Sequence, residues 1–147
     1  MITAHRILRT WVRRATDAAP EERDGLTLIA GEGVDGDHTR GGRRHVTLVF
    51  ADDWHAAEEE LGRAVDPVGR RANVLLSGGG GGALIGRTLR LGAATLAIRG
   101  ETAPCAVMDE AAPGLQEALR PGTRAGVWAV VLDGGEIRPG DELSDGV

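Results

Sequence analysis

Short apolar runs, each closed by a glycine-bearing turn, recur along this chain. Leu26–Ala30 (LTLIA), Val46–Phe50 (VTLVF), Asn73–Leu76 (NVLL), Thr88–Leu91 (TLRL), Thr95–Arg99 (TLAIR) and Val127–Leu132 (VWAVVL) are too short for packed helices and several are rich in β-branched residues, a pattern that favours strands. Glycine supplies 23 of the 147 residues. Much of it falls between these runs, where freedom to take positive φ lets the chain reverse. Many short strands leave many open edges, and closing a sheet on itself removes them. The expected fold is mainly β with short helices, a small β-barrel. Neither a repeat nor a linker divides the sequence, so residues 1–147 read as one domain of ordinary size.

A few segments leave the strand pattern. Trp54, Ala57 and Leu61 share one face at helical spacing, with Asp52 or Asp53 ahead as N-cap and Gly62 behind as the stop. A first strand is expected over Ile2–Leu8, a polar connection over Ala15–Asp24, a loop over Glu32–Gly42 and a hairpin turning at Gly92-Ala93. Pro104 suits the first turn of a helix, and Gly114–Leu119 reads as another helical turn. Gly78–Gly82 reads as a flexible loop, because it lacks the Lys and the spacing of a phosphate-binding P-loop.

The residue inventory removes whole reaction classes. All 17 basic residues are Arg. Without Lys there is no Schiff base and no pyridoxal phosphate site. The single Cys excludes an intrachain disulfide, a CxxC redox pair and a multi-Cys zinc site. Neither Ser lies in a GxSxG elbow. A net charge of −5 disfavours nucleic acid as a partner. No run has the apolar length of a membrane span and the start carries no signal-peptide core. The expectation is no membrane partner and, from the unpaired Cys, a cytoplasmic location.

Arginine is clustered within this acidic chain. Arg40, Arg43 and Arg44 fall in His38–His45 with no acid, and Arg63, Arg70 and Arg71 are met by Asp66 alone. Two local cationic patches suit a small anionic ligand, since guanidinium forks match phosphate and carboxylate. The Arg71-x-Asn73 spacing, entering a strand, predicts a guanidinium and an amide on one face. Asp37, after Gly36, either satisfies its own turn or hydrogen-bonds a ligand's N–H edge. Cys105 is the sharpest candidate. A place in a first helical turn opened by Pro104 favours its thiolate, which can ligate a soft metal or take a sulfane sulfur. The four His residues form no zinc motif. A second possibility is a non-catalytic barrel module that binds an anionic ligand or a protein partner through Arg40, Arg43, Arg44, Arg70 and Arg71, with Cys105 inert.

Several motifs occur in one order: Gly36-Asp37, Val46-Thr47-Leu48, Arg71-Ala72-Asn73-Val74, Leu84-Ile85-Gly86, Pro104-Cys105, Gly126–Val131 and Gly135–Asp141. That order resembles the MOSC domain, the molybdenum cofactor sulfurase C-terminal domain, over about residues 26–143. The resemblance implies a β-rich barrel and an association with molybdenum cofactor (molybdopterin). Family members occur fused to sulfurases, in amidoxime-reducing enzymes and as small bacterial proteins linked to tolerance of N-hydroxylated bases. Carried over, Cys105 is the metal ligand or sulfur carrier, and the activity is sulfur transfer or molybdenum-dependent N–O reduction. Arg71, Asn73 and Asp37 fall near the cofactor, and Arg43 and Arg44 serve as phosphate clamps. The partners implied are a cofactor or other small ligand and an external reductase or sulfur donor, because the chain carries no flavin, haem or iron–sulfur module. Gly79–Gly82 departs from the family pattern, and the lost side chains predict a looser loop.

Overall fold

The computed structural model describes residues 5–145. Eleven strands and three short helices follow in order: β1 (His5–Val12), β2 (Glu21–Arg23), β3 (Leu26–Ile29), β4 (Gly33–Val34), β5 (Val46–Phe50), α1 (Ala51–Leu61), β6 (Val74–Leu76), β7 (Thr88–Leu91), β8 (Ala94–Glu101), α2 (Met108–Ala111), α3 (Leu115–Ala118), β9 (Val127–Asp133), β10 (Gly135–Ile137) and β11 (Glu142–Ser144). Seven of them close into a barrel, β11-β7-β8-β9-β5-β6-β1, sealed by the antiparallel pairing of β1 with β11. β2 hangs from β1, and β10-β3-β4 form a separate small sheet. The turn at Pro139-Gly140-Asp141 therefore carries the chain from the small sheet to the barrel.

The first strand begins later and runs further than expected. Ile2–Ala4 lie outside the described residues, and β1 continues past Leu8 to Val12. A register irregularity against β6 lies between Ile7 and Arg9, and Thr10, Trp11 and Val12 are all buried because both faces of β1 are covered there, Val12 by the barrel core and Trp11 by a second apolar cluster. β2 arises inside the expected polar connection. Arg9 holds it with two hydrogen bonds to Glu22, at 3.1 and 2.8 Å, and also reaches Asp66 at 2.7 Å.

β5 and β6 run parallel, and a parallel pair needs a long crossover. Residues 51–73 provide it, with α1 packed on the outside of the barrel. Both faces of these strands are thus covered. Val46, Leu48, Phe50, Val74 and Leu76 fill the barrel, while Val49 and Leu75 join Trp11, Trp54, Met108 and Leu115 in an outer cluster. That double burial explains why both strands read as nearly continuous apolar runs.

α1 ends at Gly62 as expected, with φ 73°. Its N-cap is Phe50, however, and no side chain caps it. Asp53 turns instead to the glycine run, where its carboxylate accepts N–H bonds from Gly80 (3.0 Å) and Gly81 (3.3 Å). Gly82 N–H donates to the Thr123 hydroxyl at 3.0 Å. At Gly81 a side chain is excluded by contact, since its Cβ would stand 2.2 Å from the Phe50 ring. The expected loose loop is therefore a packed one, and its backbone donors already hold the protein's own carboxylate. Among the described residues, no helix is long and apolar enough to cross a membrane.

Candidate functional site

A cleft of about 210 Å3 opens where β1 ends, beside the Asp37–Thr39 loop, Thr47 of β5, residues 70–73 and Thr102-Ala103 after β8. Its floor is a polar crosslink. The Asn73 carboxamide oxygen accepts from the Thr47 backbone N–H (3.0 Å) and hydroxyl (3.2 Å). Its NH2 donates to the Trp11 carbonyl (3.3 Å) and to Asp37 (3.2 Å). The buried Asp37 carboxylate also accepts from the Arg13 backbone N–H (2.9 Å), the Thr39 N–H (3.2 Å) and the Thr39 hydroxyl (2.6 Å). These two side chains lock β1, β5 and the loop together, and Asp37 satisfies its own turn.

Around that floor stand guanidinium groups. Arg70 ends a 3-10 turn over Pro67–Arg70 and is only 8% exposed. Its Nε donates to the Ala125 carbonyl, which also accepts from the Thr102 hydroxyl at 2.9 Å. No carboxylate among the described residues pairs with it, and its terminal nitrogens make no hydrogen bond to the protein. Burial pushes its pKa down to about 10; the like charges of Arg44 and Arg13 add to this, while Cys105 opposes it. Arg13 is likewise lowered, first by burial and then by Arg71. Its Nε is buried without a partner, and one terminal nitrogen lies 3.2 Å from His38 Nε2. Arg70 is therefore a buried cation, repelled by its neighbours and paired with no carboxylate among the described residues, and such a group favours an anion. Arg13, by contrast, is half-buried, donates also to the Thr16 carbonyl and is drawn to Asp37.

Arg71 reaches the same cleft by a route other than a strand. It caps the 3-10 turn at φ 63°, the one non-glycine residue with positive φ among those described. From there its side chain donates to the carbonyls of Thr16 (3.2 Å) and Ala18 (3.1 Å). Strand periodicity was therefore the wrong reason for placing Arg71 with Asn73, although both do line the cleft. Arg44 lines it too, whereas Arg43 lines the adjoining depression. Arg40 is neutralised by Glu32 (2.9 Å) and Asp35 (2.7 Å).

Cys105 is exposed. The expected helix starts later, at Met108, so the thiol precedes the helix and stands outside its first turn. The Cys105 carbonyl accepts the Met108 N–H at 3.0 Å, which fixes a turn. Cys105 is not among the residues that line the cleft, which reaches only to Ala103, but its sulfur lies within electrostatic reach of Arg13 and Arg70. Arg13 is the residue that sequence reasoning missed. Of the histidines, only His38 lines the cleft. His5 and His45 bond to the backbone at Ser77 (2.7 Å) and Val131 (3.0 Å), and His55 faces Glu58 and Glu59. Among the described residues, no group of three or more His, Cys, Asp or Glu side chains could hold a metal by itself.

The residues thus define a small closed barrel with an arginine-lined cleft and, a short way along the chain from its Ala103 lining, an exposed thiol. A family model for the MOSC domain matches residues 35–144, and this chain belongs to that family. MOSC domain proteins are linked to molybdenum cofactor-related function. The fold agrees. It superposes on the YuaD protein of Bacillus subtilis with a TM-score of 0.80 at 21% identity, covering 96% of this chain and 94% of that one. YiiM from Geobacillus stearothermophilus gives 0.76 at 18% identity, covering 95% and 74%. YiiM from Escherichia coli gives 0.70 at 16% identity, covering 95% and 68%. No curated protein matches the chain.

Proposed function

We propose that this protein binds the molybdenum cofactor, with the cleft arginines on its anionic tail and Cys105 at its metal. The observation that carries this is Arg70, a buried guanidinium with no counter-ion. The donor set fits the group: guanidinium forks suit a phosphate, and a thiolate suits a soft metal. When bound, the cofactor supplies redox chemistry at molybdenum, here of the N–O reducing kind, with electrons from a separate reductase. The chain's own work is positional. Arg70, with Arg13, Arg44 and Arg71, holds the anionic end. Asn73 and Asp37 keep the cleft floor rigid. Cys105 offers sulfur at the open edge.

The exposure of Cys105 favours a second form of the same activity, sulfur carriage. There the thiolate attacks the outer sulfur of a donor persulfide, a new S–S bond forms on Cys105 and the donor leaves as a thiolate. Metal analysis of protein from a cofactor-competent host tests the first form. Wild type should carry molybdenum and Cys105→Ser should lose it; equal molybdenum in both would remove Cys105 from the metal. Cyanolysable sulfur after loading with a persulfide tests the second. Its absence from wild type would exclude carriage.

A further inference from the structure

His38 grips Arg13 at two points, and the grip fixes where its hydrogen sits. Nδ1 lies 3.2 Å from the Arg13 carbonyl oxygen and 3.5 Å from an Asp37 carboxylate oxygen. Both neighbours are acceptors, so Nδ1 carries the hydrogen and donates to the Arg13 carbonyl. Nε2 lies 3.2 Å from a terminal nitrogen of the Arg13 guanidinium. A guanidinium donates and never accepts, so Nε2 offers it a lone pair. The ring is therefore held neutral, and both side chains line the cleft. The other charged groups facing this pair are Asp37, Arg44 on the same loop, Arg70 and Arg71 on the 3-10 turn, and Cys105 through its charge on Arg13.

A neutral His38 gives an entering anion no donor at Nε2. A protonated His38 gives one, but sets two donors 3.2 Å apart, Nε2–H against the Arg13 N–H. An anion oxygen between them relieves that conflict by accepting from both. Anion and proton therefore assist each other. We infer that His38 is a proton-linked ligand of the anion: one anionic group enters between His38 and Arg13 while a proton from solvent joins Nε2. This rests on the anionic-cleft reading above and adds a titrating ligand to it.

Calorimetric titration of the whole chain with sulfate tests this, from about pH 8 to about pH 6, where imidazole changes charge. Two buffers of different ionisation heat at each pH count the protons exchanged. Sulfate stays a dianion over this range, whereas a phosphate ester titrates near pH 6. Wild type should take up a proton with sulfate and bind it more tightly as pH falls, by up to about tenfold per pH unit, the limit for one linked proton. His38→Gln keeps a carboxamide oxygen that can accept from Arg13 but takes no proton. It should bind sulfate as wild type does at the alkaline end and gain nothing as pH falls, a difference that a purely structural role would not produce. Sulfate binding by wild type without proton uptake overturns the role of His38 and leaves the cleft standing, however the variant folds. Uptake that survives in His38→Gln does the same and puts the proton elsewhere, on Asp37 or Cys105. If wild type binds no sulfate at either end of the range, the anionic cleft falls and the role of His38 with it. His55→Gln is the control, since His55 faces Glu58 and Glu59 on an exposed helix surface; loss of the uptake there would also overturn the role of His38.

Discussion

Arg70 is held where it costs the fold stability. Its proton is bound less tightly in the folded protein than in the unfolded chain, so the penalty is fully present at neutral pH and is relieved only above about pH 10. Replacing it by Met keeps an alkyl stem under the 3-10 turn and leaves the Ala125 carbonyl its bond from Thr102. Arg70→Met should therefore unfold no more easily than wild type, and by about 1–3 kcal/mol less easily, as buried charges replaced by apolar groups often do. Thermal unfolding with and without phosphate checks both halves. Phosphate should raise the wild-type midpoint by binding only the folded state and leave the variant unmoved. A variant that is much less stable, or still raised by phosphate, contradicts the assignment.

At the scale of elements, the glycine run and β2 were the segments least open to sequence reasoning. Gly81 and Gly80 are neighbours with opposite constraints. Gly81 touches the Phe50 ring, whereas Gly80 has open space and needs only φ 71°. Gly81→Ala should cost about 2 kcal/mol or more by overpacking, and Gly80→Ala only about 1 kcal/mol through backbone strain. Urea unfolding of the two variants separates contact from conformation; the reverse order would mean that the loop is not packed. β2 carries no apolar signature because an ion cluster holds it. Glu22 sits below the ordinary carboxylate range because Arg9 hydrogen-bonds it, and Asp66 does so through the Val68 backbone N–H first and Arg9 second. Depressed carboxylates stabilise the fold above their unfolded pKa and lose that contribution as pH falls. The groups are exposed, so the loss is small, and it falls below about pH 4. Arg9→Gln should flatten this acid limb of stability against pH; an unchanged limb would show that the cluster contributes nothing.

For the molecule as a whole, the barrel was legible because its strands are sealed on both faces or alternate strictly, as in β7 with its exposed Thr88 and Arg90 and buried Leu89 and Leu91. The motifs named Arg71 and Asn73, which both line the cleft, but the geometry that brings them there was not legible. Pairing of β1 with β6 brings Arg13 to residues 70–73 across nearly the whole first half of the chain, a proximity that no local pattern encodes. The choice between Arg70 and Arg71 for the buried position is made by the 3-10 turn and the left-handed Arg71 that follows it. These long-range placements support the proposed function, in which the cleft takes an anionic tail at Arg70 and Cys105 takes the metal end. Pterin and molybdenum content of wild type, Cys105→Ser and Arg70→Met, each purified from a cofactor-competent host, tests it most directly. Wild type should retain both, Cys105→Ser should retain pterin while losing molybdenum, and folded Arg70→Met should retain neither. Arg70→Met that is folded and holds the wild-type amount of pterin would contradict the account.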